Sequence, residues 1–232
     1  MLEIGVLGTG LALGTGLWGA YAPNSRLFGS VIGRGPAEPV AYLTFDDGPN
    51  PGATHRVLEV LDQEQVAATF FMVGRHVERY PGIAMAVVQA GHEIGNHTYS
   101  HIKLHRAGPR RAEREIRRAH QAIAGITGYV ARSFRAPHGY RSPFVARAVA
   151  PYGYRSFGWT FGVWDSDRPG VSRIRSRVRQ RLTPGAIVLL HDGDGYDPTG
   201  DRRQTAAALP GIIKDVRAAG YRLESLSNLV AH

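Results

Sequence analysis

The chain has 232 residues, 43% hydrophobic and 20% charged, which fits a globular protein with a sizeable core and excludes an intrinsically disordered one. It has no cysteine, so disulfides and thiolate metal sites are excluded, and any metal has to be held by carboxylates and by some of the ten histidines. The formal charge of +9 favours an anionic surface as neighbour, a cell-wall polymer or a membrane; nucleic acid is not expected, because no aromatic-interleaved basic groove or known binding motif accompanies the charge.

Residues 4–25, IGVLGTGLALGTGLWGAYAPNS, carry no charge and are long enough to span a bilayer. They are also glycine-rich, and the charged side chain before them is Glu3 rather than a basic residue of the kind that opens a secretory signal. Two readings stand: an atypical anchor or signal, with the protein extracytoplasmic, secreted or membrane-held, or an apolar hairpin packed on the domain. Residues 25–39 then read as a linker. The chain thus divides into an N-terminal apolar segment with linker, 1–38, and one globular domain, 39–232.

From residue 40 onward strands and helices alternate. Residues 40–45 form a strand. Residues 53–65 form a helix with Val57, Leu58 and Leu61 on one face, and 68–74 a buried strand. Residues 81–90 form a helix opening on Pro81, and 92–98 a short strand. Residues 109–125 form a basic helix in which Ala112, Ile116, Ala119 and Ile123 recur at helical spacing and Glu113 sits four before Arg117. Residues 133–135 are a strand end, 143–150 a helix and 154–161 a strand. A second basic helix covers 171–182 with Ile174, Val178 and Leu182 as its apolar stripe. Both basic helices read as solvated surface. Residues 185–192 form a strand, 204–219 a helix and 221–223 a last strand. About seven parallel strands alternating with helices point to an α/β barrel or wound sheet.

Polar residues gather where these strands end: Asp46 and Asp47, His97 and His101, Arg135, Asp165, and His191 with Asp192. The carboxyl ends of strands are where barrels and wound sheets place their active sites. His97 and His101 are spaced H-x-x-x-H, so on a helical turn both imidazoles meet one ion. Two histidines and one carboxylate leave open positions on a divalent ion, as catalytic rather than structural sites do. Asp46 and Asp47 are adjacent, and consecutive side chains at a strand end diverge. His92 and Glu93 read as structural, and His55, His76, His105 and His120 as surface residues. Asp194, Asp197 and Asp201 resemble a calcium loop in composition but lack its terminal bidentate Glu, so a polar rim loop is the better reading.

TFDDGP, HTYSH, RAPHG and LLHD, in this order and spacing, resemble the polysaccharide deacetylases, carbohydrate esterase family 4 with its NodB-homology domain. The resemblance covers residue 39 to the C-terminus and makes 39–232 a deacetylase catalytic domain. It implies a distorted (β/α) barrel that removes acetyl groups from carbohydrate with a divalent metal, zinc first, with cobalt and manganese as alternatives. Asp47, His97 and His101 resemble the metal triad. Asp46 resembles the general base and Arg135 the arginine that holds it. His191 resembles the general acid, oriented by Asp165, with Asp167 as the competing choice. Leu189 resembles the wall of the acetyl pocket. Trp164 or Trp159 resembles its aromatic side, and the backbone N–H of His138, after Pro137, an oxyanion donor. His138 stands where the family usually has an aromatic, followed by Gly139 and Tyr140, which leaves fine specificity open.

The implied substrate is an N-acetylated amino-sugar polymer of peptidoglycan or chitin type. Alternatives are a lipid-linked amino sugar or an acetyl-xylan-type ester. A non-catalytic glycan-binding module is the distant one, since no ligand, base or acid is missing. Nothing in the pattern asks for an obligate protein partner.

Overall fold

The computed structural model describes residues 14–230. The first strand, β1 (Val40–Asp46), is buried along its whole length, as a central parallel strand covered on both faces should be. Its side chains alternate. Leu43 and Phe45 pack with the surrounding helices, and Val40 and Tyr42 pack with Phe71, Phe157 and Ile187 in a second cluster inside the curl.

The strands that follow are β2 (Thr69–Met72), β3 (Glu93–Asn96), β4 (Ser133–Phe134), β5 (Arg155–Ser156), β6 (Phe161–Gly162), β7 (Ala186–His191) and β8 (Arg222–Glu224). They form one sheet in the order β5-β4-β3-β2-β1-β7-β6, and every pairing is parallel. β8 joins the first half of β1, at Val40–Tyr42, while β2 takes the second half. The expected barrel is therefore present in distorted form, curled but with no pairing between β5 and β6.

Around it, from residue 54 onward, lie α1 (Thr54–Gln63), α2 (Gly74–Arg79), α3 (Pro81–Gln89), α4 (Pro109–Thr127), α5 (Phe144–Val149), α6 (Val171–Arg181) and α7 (Arg203–Ala218). In α4 the stripe Ala112, Ile116, Ala119 and Ile123 is buried. Its arginines face water, and Arg117 reaches Glu113 one turn back. The helix stops at Gly128, whose φ of 68° is the left-handed conformation that closes helices.

Two local expectations need correction. The strand expected over 154–161 is divided: β5 and β6 lie on opposite edges, and residues 157–160 cross the open side between them. Phe157 N donates to Phe134 O on one edge, and Thr160 N to Ile187 O on the other. Periodicity reads the run as continuous because both halves are hydrophobic. The second correction is α2, which begins at the glycine taken as the end of the 68–74 strand.

Residues 14–21 are helical. Beyond them the stretch read as a linker lies against the domain. Ser25 and Val31 are buried, Ile32 bridges to Phe157, and Arg141 N donates to Ala20 O at 3.0 Å. Among the described residues no helix is long and apolar enough to cross a membrane. Residues 4–13 of the uncharged segment lie outside the described residues.

Candidate active site

β1 delivers Asp46 as its last residue, and the chain then turns at Asp47, whose φ is 78°. That left-handed conformation is what lets two consecutive carboxylates diverge. His97 follows β3 directly, Arg135 follows β4, and His191 ends β7. Asp165 opens a short 3₁₀ turn, Asp165–Asp167, after β6. A cavity of about 200 Å³ at this end of the sheet is lined by Asp46, Asp47, His97, His101, Leu189 and His191, with His138, Trp159 and Tyr196 among its other walls.

Asp47, His97 and His101 are buried and offer one ligand atom each, all within 4.8 Å of one another. His97 Nδ1 lies 2.8 Å from Arg135 O, a carbonyl that accepts only from an N–H, so the neutral ring carries its lone pair on Nε2. That Nε2 stands 3.4 Å from Asp47 Oδ1, and His101 Nε2 stands 3.0 Å from the same oxygen. Asp47 Oδ1 is buried with no hydrogen-bond donor. Electron-rich atoms converging in a buried place fit a shared cation. Burial pushes the Asp47 carboxyl up, but the imidazoles of His101 and His97 outweigh it and hold it well below the usual carboxylate range.

The two histidines are not on a helical turn, as the spacing suggested. Thr98 and His101 both have positive φ, and the segment between them is an irregular loop. Their rings still meet, with centroids 5.1 Å apart. Backbone close approach completes the cradle. A side chain at Gly195 would run into the His101 ring, and one at Gly193 into the Asp47 carbonyl.

Asp46 turns the other way. Its Oδ1 accepts from Arg135 Nη1 at 2.7 Å. The same Nη1 reaches Thr44 Oγ1 at 2.8 Å, Nη2 donates to Gly158 O at 2.8 Å, and the guanidinium lies 4.1 Å over the Phe71 ring. Arg135 is fully buried.

His191 Nδ1 lies 2.8 Å from Asp165 Oδ1, and Asp165 Oδ2 accepts from His191 N at 2.8 Å and Thr205 Oγ1 at 2.7 Å. Asp165, not Asp167, is therefore the aspartate on His191. Burial opposes the charge on this imidazole, but Asp165, then Asp47 and Asp46, overcome it and raise its pKa to about 9. The opposite charge of His191 and the donors around Asp165 outweigh burial and hold its carboxyl low.

Other expected residues fall differently. Leu189 lines the cavity; Trp159 does so as well, and Trp164 does not. Trp164 is 57% exposed, with the Arg177 and Arg181 guanidiniums at 5.6 and 5.4 Å from its ring. His138 lines the cavity with a φ of 59°, and its Nε2 lies 2.9 Å from Tyr196 Oη. Burial and neighbouring His101 push its pKa down to about 4. Pro137 is buried at the start of this turn, and Tyr140 sits one step outside the cavity, 5.3 Å from His138. His76 is not on the surface: it is buried below the site, with Nδ1 2.9 Å from Asp47 O. His105 and His120 are half-buried against tyrosines, and His55 is exposed.

Three more residues contribute, two of them, Tyr196 and Thr205, outside any quoted motif. Tyr196 closes over His101 with ring centroids 5.0 Å apart. Thr205, at the start of α7, holds Asp165. Asp192, fully buried, accepts from Thr54 Oγ1 at 2.6 Å; burial, assisted by the charges of Asp47 and Asp46, raises its pKa to about 7.

A curled parallel sheet with a His/His/Asp cation site, a carboxylate held by arginine and a histidine held by aspartate defines a candidate hydrolytic centre. Comparison with known proteins agrees. The family model described as polysaccharide deacetylase matches residues 33–157. A chitooligosaccharide deacetylase of Bradyrhizobium sp. is 40% identical over 197 residues, 81% of this chain and 89% of its own. A peptidoglycan-N-acetylglucosamine deacetylase of Bacillus cereus is 36% identical over 200 residues, 84% of this chain and 90% of its own. The solved structure of a CE4 family pseudoenzyme from Bacillus anthracis superposes with a TM-score of 0.79 at 28% identity, covering 87% of this chain and 69% of that one. This chain belongs to the polysaccharide deacetylase family.

Proposed function

We propose that this chain is a divalent-metal-dependent deacetylase that removes acetyl groups from N-acetylglucosamine units of a polysaccharide, releasing acetate and a free amine. The observation that carries this is the convergence of Asp47, His97 and His101 beside two separately held proton-transfer groups in one cavity. The likeness to deacetylases of chitooligosaccharides and of peptidoglycan supports the substrate class. The all-nitrogen-and-carboxylate donor set favours zinc, with cobalt and manganese as substitutes.

A divalent ion held by Asp47, His97 and His101 supplies Lewis-acid polarisation and acidifies water. Asp46 takes a proton from the attacking water, positioned for this by Arg135. His191 gives a proton to the leaving nitrogen, and Asp165 keeps that proton on the side facing the cavity by accepting from Nδ1. Leu189 and Trp159 wall the acetyl group. The His138 amide, in a turn whose next two N–H groups are already bonded to Ala136 O and Pro137 O, serves as oxyanion donor. The uncharged N-terminus and the basic surface support an extracytoplasmic location.

The test is acetate release across a glycan panel of N-acetylated, O-acetylated and lipid-linked sugars. Turnover of the N-acetylated polymers, abolished by chelation and restored by zinc or cobalt, is expected. Metal binding without acetate from any glycan would overturn the reading.

A further inference from the structure

A second cavity, of about 250 Å³, adjoins the first and shares His101 and Tyr196 with it. Its charged side chains are of one sign, Lys103, Arg106 and Arg111, and Ser100, Ile102 and Ala107 complete its lining. All three cations are exposed, and none is within 4 Å of a carboxylate among the described residues. The nearby carboxylate, Glu115, is buried and occupied by the Ser100 amide and hydroxyl at 2.8 Å each. The positive field reaches neighbouring His105, whose pKa is lowered by burial first and then by Arg106 and Lys103.

The two cavities, about 200 and 250 Å³, together fall in the roughly 300–1,000 Å³ range of ligand clefts. The shared walls His101 and Tyr196 put the second cavity within reach of the unit next to a sugar held at the cation site. Cations left unpaired along that path lower the free energy of a chain carrying anions there and do nothing for a neutral one.

The geometry points to a specificity subsite: Lys103, Arg106 and Arg111 bind a carboxylate carried by a sugar next to the one being deacetylated, so that the substrate is an anionic N-acetylglucosamine polymer. This rests on the deacetylase reading and deepens it. Among the two polymer types, peptidoglycan strands carry lactyl groups on alternate sugars, free carboxylates wherever the stem peptide is absent, and chitin-type chains carry none.

The experiment compares wild type with the triple variant Lys103→Gln/Arg106→Gln/Arg111→Gln, both metal-loaded. The substrates are peptide-free peptidoglycan strands, the same strands with their carboxylates methyl-esterified, and a chitin oligomer of equal length. For the free-acid strands, the variant should lose about tenfold in kcat/KM, mostly through KM, the size three partly exposed charge contacts carry. Its turnover of the esterified strands and the chitin oligomer should be unchanged, and raised salt should narrow the wild-type advantage on free acids. Calorimetric binding of the same three glycans reads the subsite independently of turnover, so a dead enzyme refutes the deacetylase reading and leaves the subsite measurable. Equal losses on charged and neutral glycans, or no loss on either, would each overturn the proposal.

Discussion

Arg135→Ala removes a fully buried guanidinium that holds three groups on two elements: Asp46 and Thr44 on β1, and the Gly158 carbonyl on the crossing between β5 and β6. Truncation leaves the Asp46 carboxylate without its cation and the Gly158 carbonyl without its donor. Breaking one side of a buried ion pair costs about 3–5 kcal/mol, because the remaining charge stays desolvated. For a chain of this size that corresponds to a fall in Tm of roughly 6–20 °C, at about 2–4 °C per kcal/mol. Asp46→Asn leaves the mirror-image orphan, a buried guanidinium without its anion, and should cost a comparable amount. The double variant Asp46→Asn/Arg135→Ala removes both charges together. Its loss should fall short of the sum of the single losses by about 2–3 kcal/mol, the coupling expected of a directly bonded pair. Urea unfolding of the four metal-saturated proteins closes the cycle. A loss below about 1 kcal/mol for Arg135→Ala, or additive losses in the double variant, would refute the assignment of this pair as a tightly coupled unit.

Asp165→Asn removes the partner that raises His191. His191 acts protonated, so activity is present below its pKa and lost as pH rises through about 9; in the variant that alkaline limb should move down toward the ordinary histidine value near 6.5. An unmoved limb in a pH profile of kcat would show that another group is the acid. Asp46→Asn should keep the metal and lose about 10²–10⁴ in kcat, while Asp47→Asn should lose metal affinity as well, read by metal analysis after dialysis. Gly195→Ala places a methyl group against the His101 ring and should weaken metal binding about 10–100-fold, by competition with a chelating dye. Trp159→Ala should raise KM, while Trp164→Ala, which loses only its stacking with Arg177 and Arg181, should leave kinetics unchanged.

The strand ends were legible because burial and chemistry change abruptly there: β1 is hydrophobic but for Thr44 until Asp46, and β7 until His191. That contrast is local in sequence, and so Asp46, Asp47, His97, Arg135 and His191 could be placed at one end of a parallel sheet before any coordinates. Spacing did less well where the chain leaves regular structure. His97 and His101 do meet, but through a loop with two left-handed residues, a conformation that the H-x-x-x-H pattern does not encode. His76 looks like a polar residue on a short helix; only the return of Asp47 above it makes it buried. Thr205 and Tyr196 enter the site from segments more than a hundred residues beyond Asp47; the loop around Tyr196 reads as a polar rim, but nothing marks Tyr196 or Thr205 themselves. Trp159 and Trp164 could not be separated by composition, since both lie near the same crossing. Side-chain direction there depends on how the open side of the sheet is bridged.

Asp46 and His191 are direct register partners, the last of six consecutive pairs between β1 and β7 that begin at Ala41 and Ala186. The separation of the two proton-handling residues is therefore fixed by main-chain hydrogen bonds between two central, buried strands. The loops that carry Tyr140, Lys103 and Tyr196 have no part in setting it. Evolution or design can exchange those loops, and with them the glycan that is recognised, while the proton-transfer geometry is inherited unchanged. By the same logic, a substitution that disturbs the β1–β7 pairing far from the cavity, at Ala41 or Ala186, is a more direct route to an inert but folded relative than most changes at the rim.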